Sequence, residues 1–262
     1  MTSDNKMTID QFTRQAAGYA SAATIRNDQV IQRMVYLADL DVDDTTLDVA
    51  CGPGLIVCAF ASRVGHAAGI DLTPAMLDQA RRLQSDSGLS NITWTEGDVS
   101  HLPYADGKFS VVTSRYAFHH FRDPLAVLHE MVRVAKPGGT ILIADSAPAA
   151  EKADAFNAME RLRDPSHVRA LTVEQWISLF VAAGLAPNHV ESFRLAGDLD
   201  SLLARSYPNP GDELRVRQMF ESSLNDDFLD VQPRRDCEKI VYGFPILIFR
   251  SRKAERSTVT AS

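Results

Sequence analysis

The sequence predicts an α/β fold, a doubly wound and mostly parallel sheet, and three observations carry that prediction. Short apolar runs alternate with helical patterns from Thr45 onward, the signature of βαβ units. One run, Leu47-Asp48-Val49-Ala50-Cys51-Gly52-Pro53-Gly54, breaks into a glycine turn, where the lack of side chains lets a ligand approach the backbone closely. About twenty residues later Gly69-Ile70-Asp71 ends the next run on an acid, and a carboxylate there can accept hydrogen bonds from two vicinal ribose hydroxyls. The pair points to a nucleoside-containing ligand.

The elements follow in order. Gln11 to Leu40 carries a helical pattern interrupted near Gly18. Strands are predicted at Thr45 to Ala50, Ala67 to Asp71, Asn91 to Glu96, Phe109 to Ser114 and Gly139 to Asp145. Between them, Pro53 to Val64 and Pro74 to Gln84 read as helices with proline in the first turn, where an N–H is unpaired anyway, and Thr73 as an N-cap. Asp123-Pro124 opens a third helix, Leu125 to Ala135, which Pro137-Gly138-Gly139 ends sharply. Beyond the sheet, Ala147 to Ala170 is charged and helical without strand signals. Val173 to Ala183 is a helix capped by Thr172 and closed by Gly184. Pro187 to Leu195 and Ile240 to Arg250 are late strands around a helical stretch, Asp198 to Asp230, and the small, polar tail at 254–262 reads as flexible.

The 262 residues can bury a sizeable core, and 45% hydrophobic with 23% charged residues is ordinary for a globular protein. A net charge of -7 argues against nucleic acid or an anionic membrane as a partner and for a small-molecule substrate. The three cysteines, Cys51, Cys58 and Cys237, have no metal-ligand spacing and read as reduced, mostly buried thiols, so no metal is expected. Neither a signal-peptide pattern nor a membrane-spanning apolar run occurs, so the cytoplasm is the expected compartment.

Sheets of this kind bind ligands beyond the carboxyl ends of their strands, where Ala50 to Gly54, Asp71, Asp98 and Ser114 to His120 should converge. A dinucleotide competes as the ligand, but its fingerprint wants a third glycine where Val57 stands. At this point four separated segments resemble the class I S-adenosylmethionine-dependent methyltransferases, in the branch of the ubiquinone and menaquinone biosynthesis enzymes. They are Asp48 to Gly54; Gly69-Ile70-Asp71; Glu96-Gly97-Asp98-Val99 with Leu102-Pro103-Tyr104; and Ala117-Phe118-His119-His120-Phe121 followed by Leu128 to Gly139. The resemblance implies a Rossmann-like, seven-stranded sheet whose last strand is antiparallel, with helical cap insertions. It also implies S-adenosyl-L-methionine as cofactor and S-adenosyl-L-homocysteine as product. Ala50, Gly52 and Gly54 would let the cofactor lie on the backbone, Asp71 would hold its ribose, Leu72 and Met76 would flank its adenine, and Asp98 would accept from the adenine amino group beside Val99. Ala50 departs from the family's usual glycine. Ser114 joins this set from the end of the fourth strand, and Tyr19 from an N-terminal helix that closes over the cofactor in relatives; an ordinary amphipathic helix packing Phe12 and Tyr19 inward explains the same pattern.

Methyl transfer needs alignment, exclusion of water and, for some acceptors, removal of a proton. His119, His120 and His167 are the candidate proton acceptors, histidine being the side chain that titrates near working pH; a structural role for the His119-His120 pair stays open. Arg163 and Arg169, beside His167, are candidate substrate ligands, with a solvated helix face as the alternative. Trp94 and Trp176 read as core. The expected organisation is one domain over 1-262: cap helices at 1-44, a cofactor-binding core at 45-145, and substrate-cap insertions at 146-170 and 197-235. The expected reaction is methylation of an O, C or N atom of a small organic substrate, with aromatic or enolic compounds favoured and a homodimer left open. A cofactor-dependent isomerisation or cyclisation on the same scaffold, and a non-catalytic cofactor-binding protein, are the rival readings.

Overall fold

The computed structural model describes residues 3–21 and 29–255. Two helices, α1 (Ser3–Ser21) and α2 (Gln29–Ala38), precede the sheet. The core then runs β1 (Thr45–Val49), α3 (Leu55–Ala61), β2 (His66–Asp71), α4 (Pro74–Asp86), β3 (Ile92–Glu96), β4 (Phe109–Arg115), α5 (Pro124–Val134) and β5 (Ala135–Ser146). After it come α6 (Ala153–Arg163), α7 (Val173–Ala182), β6 (Pro187–Asp198), α8 (Leu199–Ser206), α9 (Asp212–Ser223), β7 (Arg234–Asp236) and β8 (Lys239–Arg252).

The strands lie in the order β3-β2-β1-β4-β5-β8-β6, with β7 paired to β8 off that path. β3, β2, β1, β4 and β5 are parallel, whereas β8 runs antiparallel to β5, β6 and β7. The chain builds outward from β1 to β3, then returns to β4 on the other side of β1. That reversal opens a crevice at the carboxyl ends of β1 and β4.

Both faces of the sheet are covered, which is why its central strands are apolar throughout. Along β5, Ile141 and Ile143 enter a core with Leu47, Val49, Leu128, Trp176 and Phe249, while Leu142 and Ala144 enter another with Met34, Phe60, Phe156, Phe220 and Ile248. Trp176 is 1% exposed, with Phe118, Phe180 and Phe249 around it. Asp123, Thr172 and Asp198 cap α5, α7 and α8 with their side chains. Thr73 precedes α4 but gives it no side-chain cap; Pro74 takes the first helical position.

Several expectations need correction. The sheet has eight strands rather than seven. The eighth, β7, is three exposed residues in a hairpin with β8, too short and too charged to leave a pattern in the sequence. Gly18 does not interrupt a helix: it lies within α1, where the absence of a side chain lets Arg205 of α8 approach, its Cβ 3.4 Å from where a Cβ of residue 18 would stand. α5 ends at Val134, ahead of Pro137-Gly138-Gly139, which instead sit in an irregularity of the β4–β5 pairing. Of the cysteines only Cys51 is buried, Cys58 being half-buried and Cys237 exposed. The Tyr19 side chain and the 256–262 tail lie outside the described residues. Among the described residues no helix is long and apolar enough to cross a membrane.

The glycine turn is shaped by two backbone demands. Gly54 adopts φ 79°, and a Cβ there would stand 2.5 Å from the Trp94 ring and 2.9 Å from Ala80 Cβ. Ala50 holds φ 56°, a left-handed conformation that costs an L-residue roughly 1–2 kcal/mol. Gly54→Ala should therefore lower stability by about 3 kcal/mol, through overpacking and backbone strain together, whereas Ala50→Gly should raise it by about 1 kcal/mol. Denaturant unfolding of both variants measures the contrast.

Candidate active site

A cavity of about 450 Å3 opens at the crevice between β1 and β4. Its floor is the turn Ala50 to Pro53, and Asp71, Leu72, Met76, Asp98 and Val99 line one side. The opposite side carries Tyr116, His120, Phe121, Val127 and the segment Pro165 to Val168. Asn5, Met7, Thr8 and Phe12 of α1 close over it. Like Ala50, Tyr116 holds a left-handed backbone conformation, φ 56°, so two of the strained positions of the chain meet at this crevice.

Asp71 ends β2 and organises the turn. One carboxylate oxygen accepts Gly52 N–H and the other Thr73 N–H, each at 2.8 Å. Burial pushes this carboxyl above its ordinary range, and the two N–H bonds pull against that push. Gly52, at φ 51°, has nothing within 4 Å of where a Cβ would point, so its surface is open backbone. Asp98 accepts Ser100 N–H at 2.9 Å and the Asn5 amide at 2.8 Å. Burial works against its charge, but these two donors outweigh it and hold Asp98 below the usual carboxylate range.

Not every expected residue faces the cavity. Ala50, Gly52, Asp71, Leu72, Met76, Asp98, Val99, His120 and His167 do. Gly54 packs against Trp94 and Ala80 beneath the turn. Ser114 is fully buried, its hydroxyl donating to Val49 O at 2.9 Å across β4 and β1. His119 turns away: its Nδ1 pairs with the Asp145 carboxylate, and its ring lines a smaller cavity of about 80 Å3 behind Phe12, Tyr116 and His120. Burial alone would lower its pKa, but the charge and hydrogen bond of Asp145, with help from Glu160, raise it. Arg163 lines that second cavity too, paired with Glu160 at 2.6 Å and donating to Ser206 Oγ at 3.0 Å. Arg169 is exposed and lines neither cavity.

His120 stands between the two cavities, edge-on to Phe12. Its Nδ1 lies 3.1 Å from both Ser166 O and Ser166 Oγ, and Ser166 Oγ donates to Asp164 at 2.6 Å. A carbonyl oxygen can only accept, so Nδ1 carries the proton and Nε2 the lone pair. Burial, with the adjacent His119, pushes the ring down to about 4, which leaves it uncharged near neutrality.

Sequence reasoning gave no role to Asp48, the acid that opens the glycine turn. It lies in the wall of the main cavity, 4% exposed, and accepts the Thr113 hydroxyl at 2.8 Å. Burial lifts it to about 7, against the opposing pull of Thr113 and Arg115. Its place at the end of an apolar strand was the available signal. Asn5 gave no signal, because its role depends on where α1 docks.

The family model described as a methyltransferase domain matches residues 47–143. The uncharacterized methyltransferase YcgJ of Bacillus subtilis is 32% identical over 196 residues, 74% of this chain and 78% of that protein. The ubiquinone/menaquinone biosynthesis C-methyltransferase UbiE of Roseobacter denitrificans is 34% identical over 126 residues, 44% of this chain and 50% of that one. The crystal structure of YcgJ superposes with a TM-score of 0.80 at 28% identity, covering 87% of this chain and 99% of the other. With the glycine turn, the carboxylates at the strand ends and these relatives in agreement, the chain belongs to the class I S-adenosylmethionine-dependent methyltransferases, in the branch that contains the UbiE-type quinone enzymes.

Proposed function

We propose that this enzyme methylates a carbon or oxygen atom of a small aromatic or enolic molecule, with the cofactor on the Asp71 side of the main cavity and the substrate on the His120 side. The observation that carries this reading is that one cavity joins Asp71 and Asp98 to His120 and His167. The side chains fit S-adenosylmethionine: open backbone at Gly52, a buried carboxylate at Asp71 for the ribose, and apolar Leu72, Met76 and Val99 beside an acceptor, Asp98, for the adenine. When bound, the cofactor supplies an activated methyl group on a sulfonium.

The chain's own residues do the rest. Asp48 and Asp71 present carboxylates toward a ligand that carries positive charge and hydroxyl donors. Phe12, Phe121, Val127 and Val168 offer an apolar wall to a flat substrate and exclude water. His120 is the proposed catalytic base. Its Nε2 takes the proton of the attacking group, while Ser166 holds the ring through Nδ1 and Asp164 behind Ser166 favours the imidazolium that forms. The segments 146–170 and 197–235 serve as the substrate cap. A carbon acceptor agrees with the relative UbiE, which is named a C-methyltransferase.

Three measurements test this reading. Asp71→Ala should weaken binding of S-adenosylhomocysteine by about tenfold to a hundredfold in calorimetry, the loss of two hydrogen bonds to a charged acceptor; unchanged affinity removes the ribose role. S-adenosylmethionine should bind more tightly as pH rises through about 7, because Asp48 must lose its proton to face the positive ligand, and Asp48→Asn should flatten that dependence. His120→Gln should cut methyl transfer by about a hundredfold, followed as S-adenosylhomocysteine formed in the presence of phenolic and enolic compounds, without changing cofactor affinity. Turnover of such a compound with no S-adenosylhomocysteine formed would instead support an isomerase or cyclase.

A further inference from the structure

His120, the proposed base, is the last residue of a single 3-10 turn, Phe118–His120, and so short a turn has no helical ladder to hold it in place. One carboxylate does the holding. Arg115, the last residue of β4, pairs with Ala144 of β5, which brings Asp145 beside the turn that follows β4. One Asp145 oxygen accepts Phe118 N–H at 2.8 Å; the other accepts Ser146 N–H at 2.6 Å and pairs with His119 Nδ1. Asp145 is 1% exposed and lines neither cavity, so its carboxylate serves the turn rather than a ligand.

The turn then fixes the wall next to it. His119 O accepts Val168 N–H at 2.9 Å and Arg169 N–H at 3.0 Å, which docks the segment Pro165 to Val168 and brings Ser166 to His120 Nδ1. Both supports of the His120 ring, its own backbone and Ser166, lead back to Asp145. The same carboxylate sets a charge. An ionised carboxylate only accepts, so His119 Nδ1 carries a proton toward it. Asp145 of β5, Glu160 and Arg163 of α6, His120 and His167 surround the His119 ring. Burial works against a charge there, but Asp145, helped by Glu160 and opposed by Arg163, raises the His119 pKa. The His120 ring lies 4.2 Å from that of His119, and Asp164, Ser166 and Arg163 also act on it. Burial first, and then the His119 charge, keep His120 unprotonated.

We infer that Asp145 is a positioning residue for methyl transfer: it anchors the turn so that His120 rather than His119 faces the main cavity, and it holds a cationic imidazole behind His120. The inference rests on the reading of His120 as the base. A base works only while its lone pair is free, and a like charge held against the ring preserves that lone pair. Asp145 acts on His120 through the turn and through His119, without touching the reacting atoms.

Asp145→Asn keeps the side chain's size and one accepting oxygen, but removes the charge and sets an amide N–H against a donor. NMR of the complex with S-adenosylhomocysteine follows each imidazole between about pH 5 and 8. In the native enzyme His119 should carry its second proton at the acid end of that range while His120 stays neutral; in Asp145→Asn, His119 should titrate lower and His120 higher. Methyl transfer to phenolic and enolic compounds should fall about tenfold in the variant, and the acid limb of its pH profile should move up from about 4 toward the ordinary histidine range. A simple loss of folded protein would lower the rate at every pH and leave that limb in place. His119→Gln, which leaves Asp145 and its bond to Phe118 N–H, should raise the His120 titration likewise and serves as the second variant. His120 gaining its proton before His119 in the native enzyme, or a His120 titration and acid limb unmoved by either substitution, overturns the inference. Full activity of His120→Gln overturns the base reading and the role of Asp145 with it, whereas a damaged His120→Gln enzyme beside an unmoved limb in Asp145→Asn overturns the role of Asp145 alone.

Discussion

The site depends on one carboxylate. Asp71 accepts two backbone N–H groups, one from the glycine turn after β1 and one from the start of α4, and so ties together two loops that leave neighbouring strands. Without that acceptor, two N–H donors in tight turns, the one at Thr73 buried and the one at Gly52 partly so, would lose this partner. Its position follows from the parallel register of β1 and β2, in which Val49 pairs with Ile70 and brings the ends of both strands to one level. The open surface of Gly52, the strained backbone of Ala50 and the floor of the cavity all follow from this clamp.

Much of this was legible in the sequence because it is local. A glycine turn after an apolar strand and an acid at the end of the next one are written within about twenty-five residues, and sheet topology alone carries them to the same place. The partition of the histidines was not legible. His119 and His120 are neighbours in a single 3-10 turn, so one imidazole faces Asp145 and the second cavity while the other reaches the main one; which is which depends on a carboxylate 26 residues away. Arg163 looked available for substrate, but Glu160 one helical turn earlier holds it. Gly18 read as a break because a lone glycine weakens a helix, and only the docking of α8 shows why it stands there.

Around the second cavity lies a group of charges, Glu160 and Asp164 buried and Arg163 nearly so, with His119 and Asp145 close by. Buried ion pairs return little net stability once desolvation is counted. Here nearly every partner has a second bond that joins separate elements. Arg163 donates to Ser206 of α8, and Asp164 accepts from Gln15 of α1 and from Ser166 behind His120. Gln11 and Gln15 both donate to Ser206 O, at 2.6 and 3.1 Å. The charges thus fix α1, α6 and α8 against one another, and α1 in turn carries Asn5 to Asp98 and Phe12 to His120.

Trp94 gives this architecture an optical property. Its ring lies against Gly54 and Gly69, directly under the turn, and its indole N–H donates to Gln84 of α4 at 2.7 Å. The only other tryptophan of the chain, Trp176, is sealed in the core among phenylalanines. One indole therefore packs against the glycine turn, while the other lies apart in a cluster of phenylalanines. The protein carries a built-in fluorophore at that turn, together with a buried second one as its own internal reference.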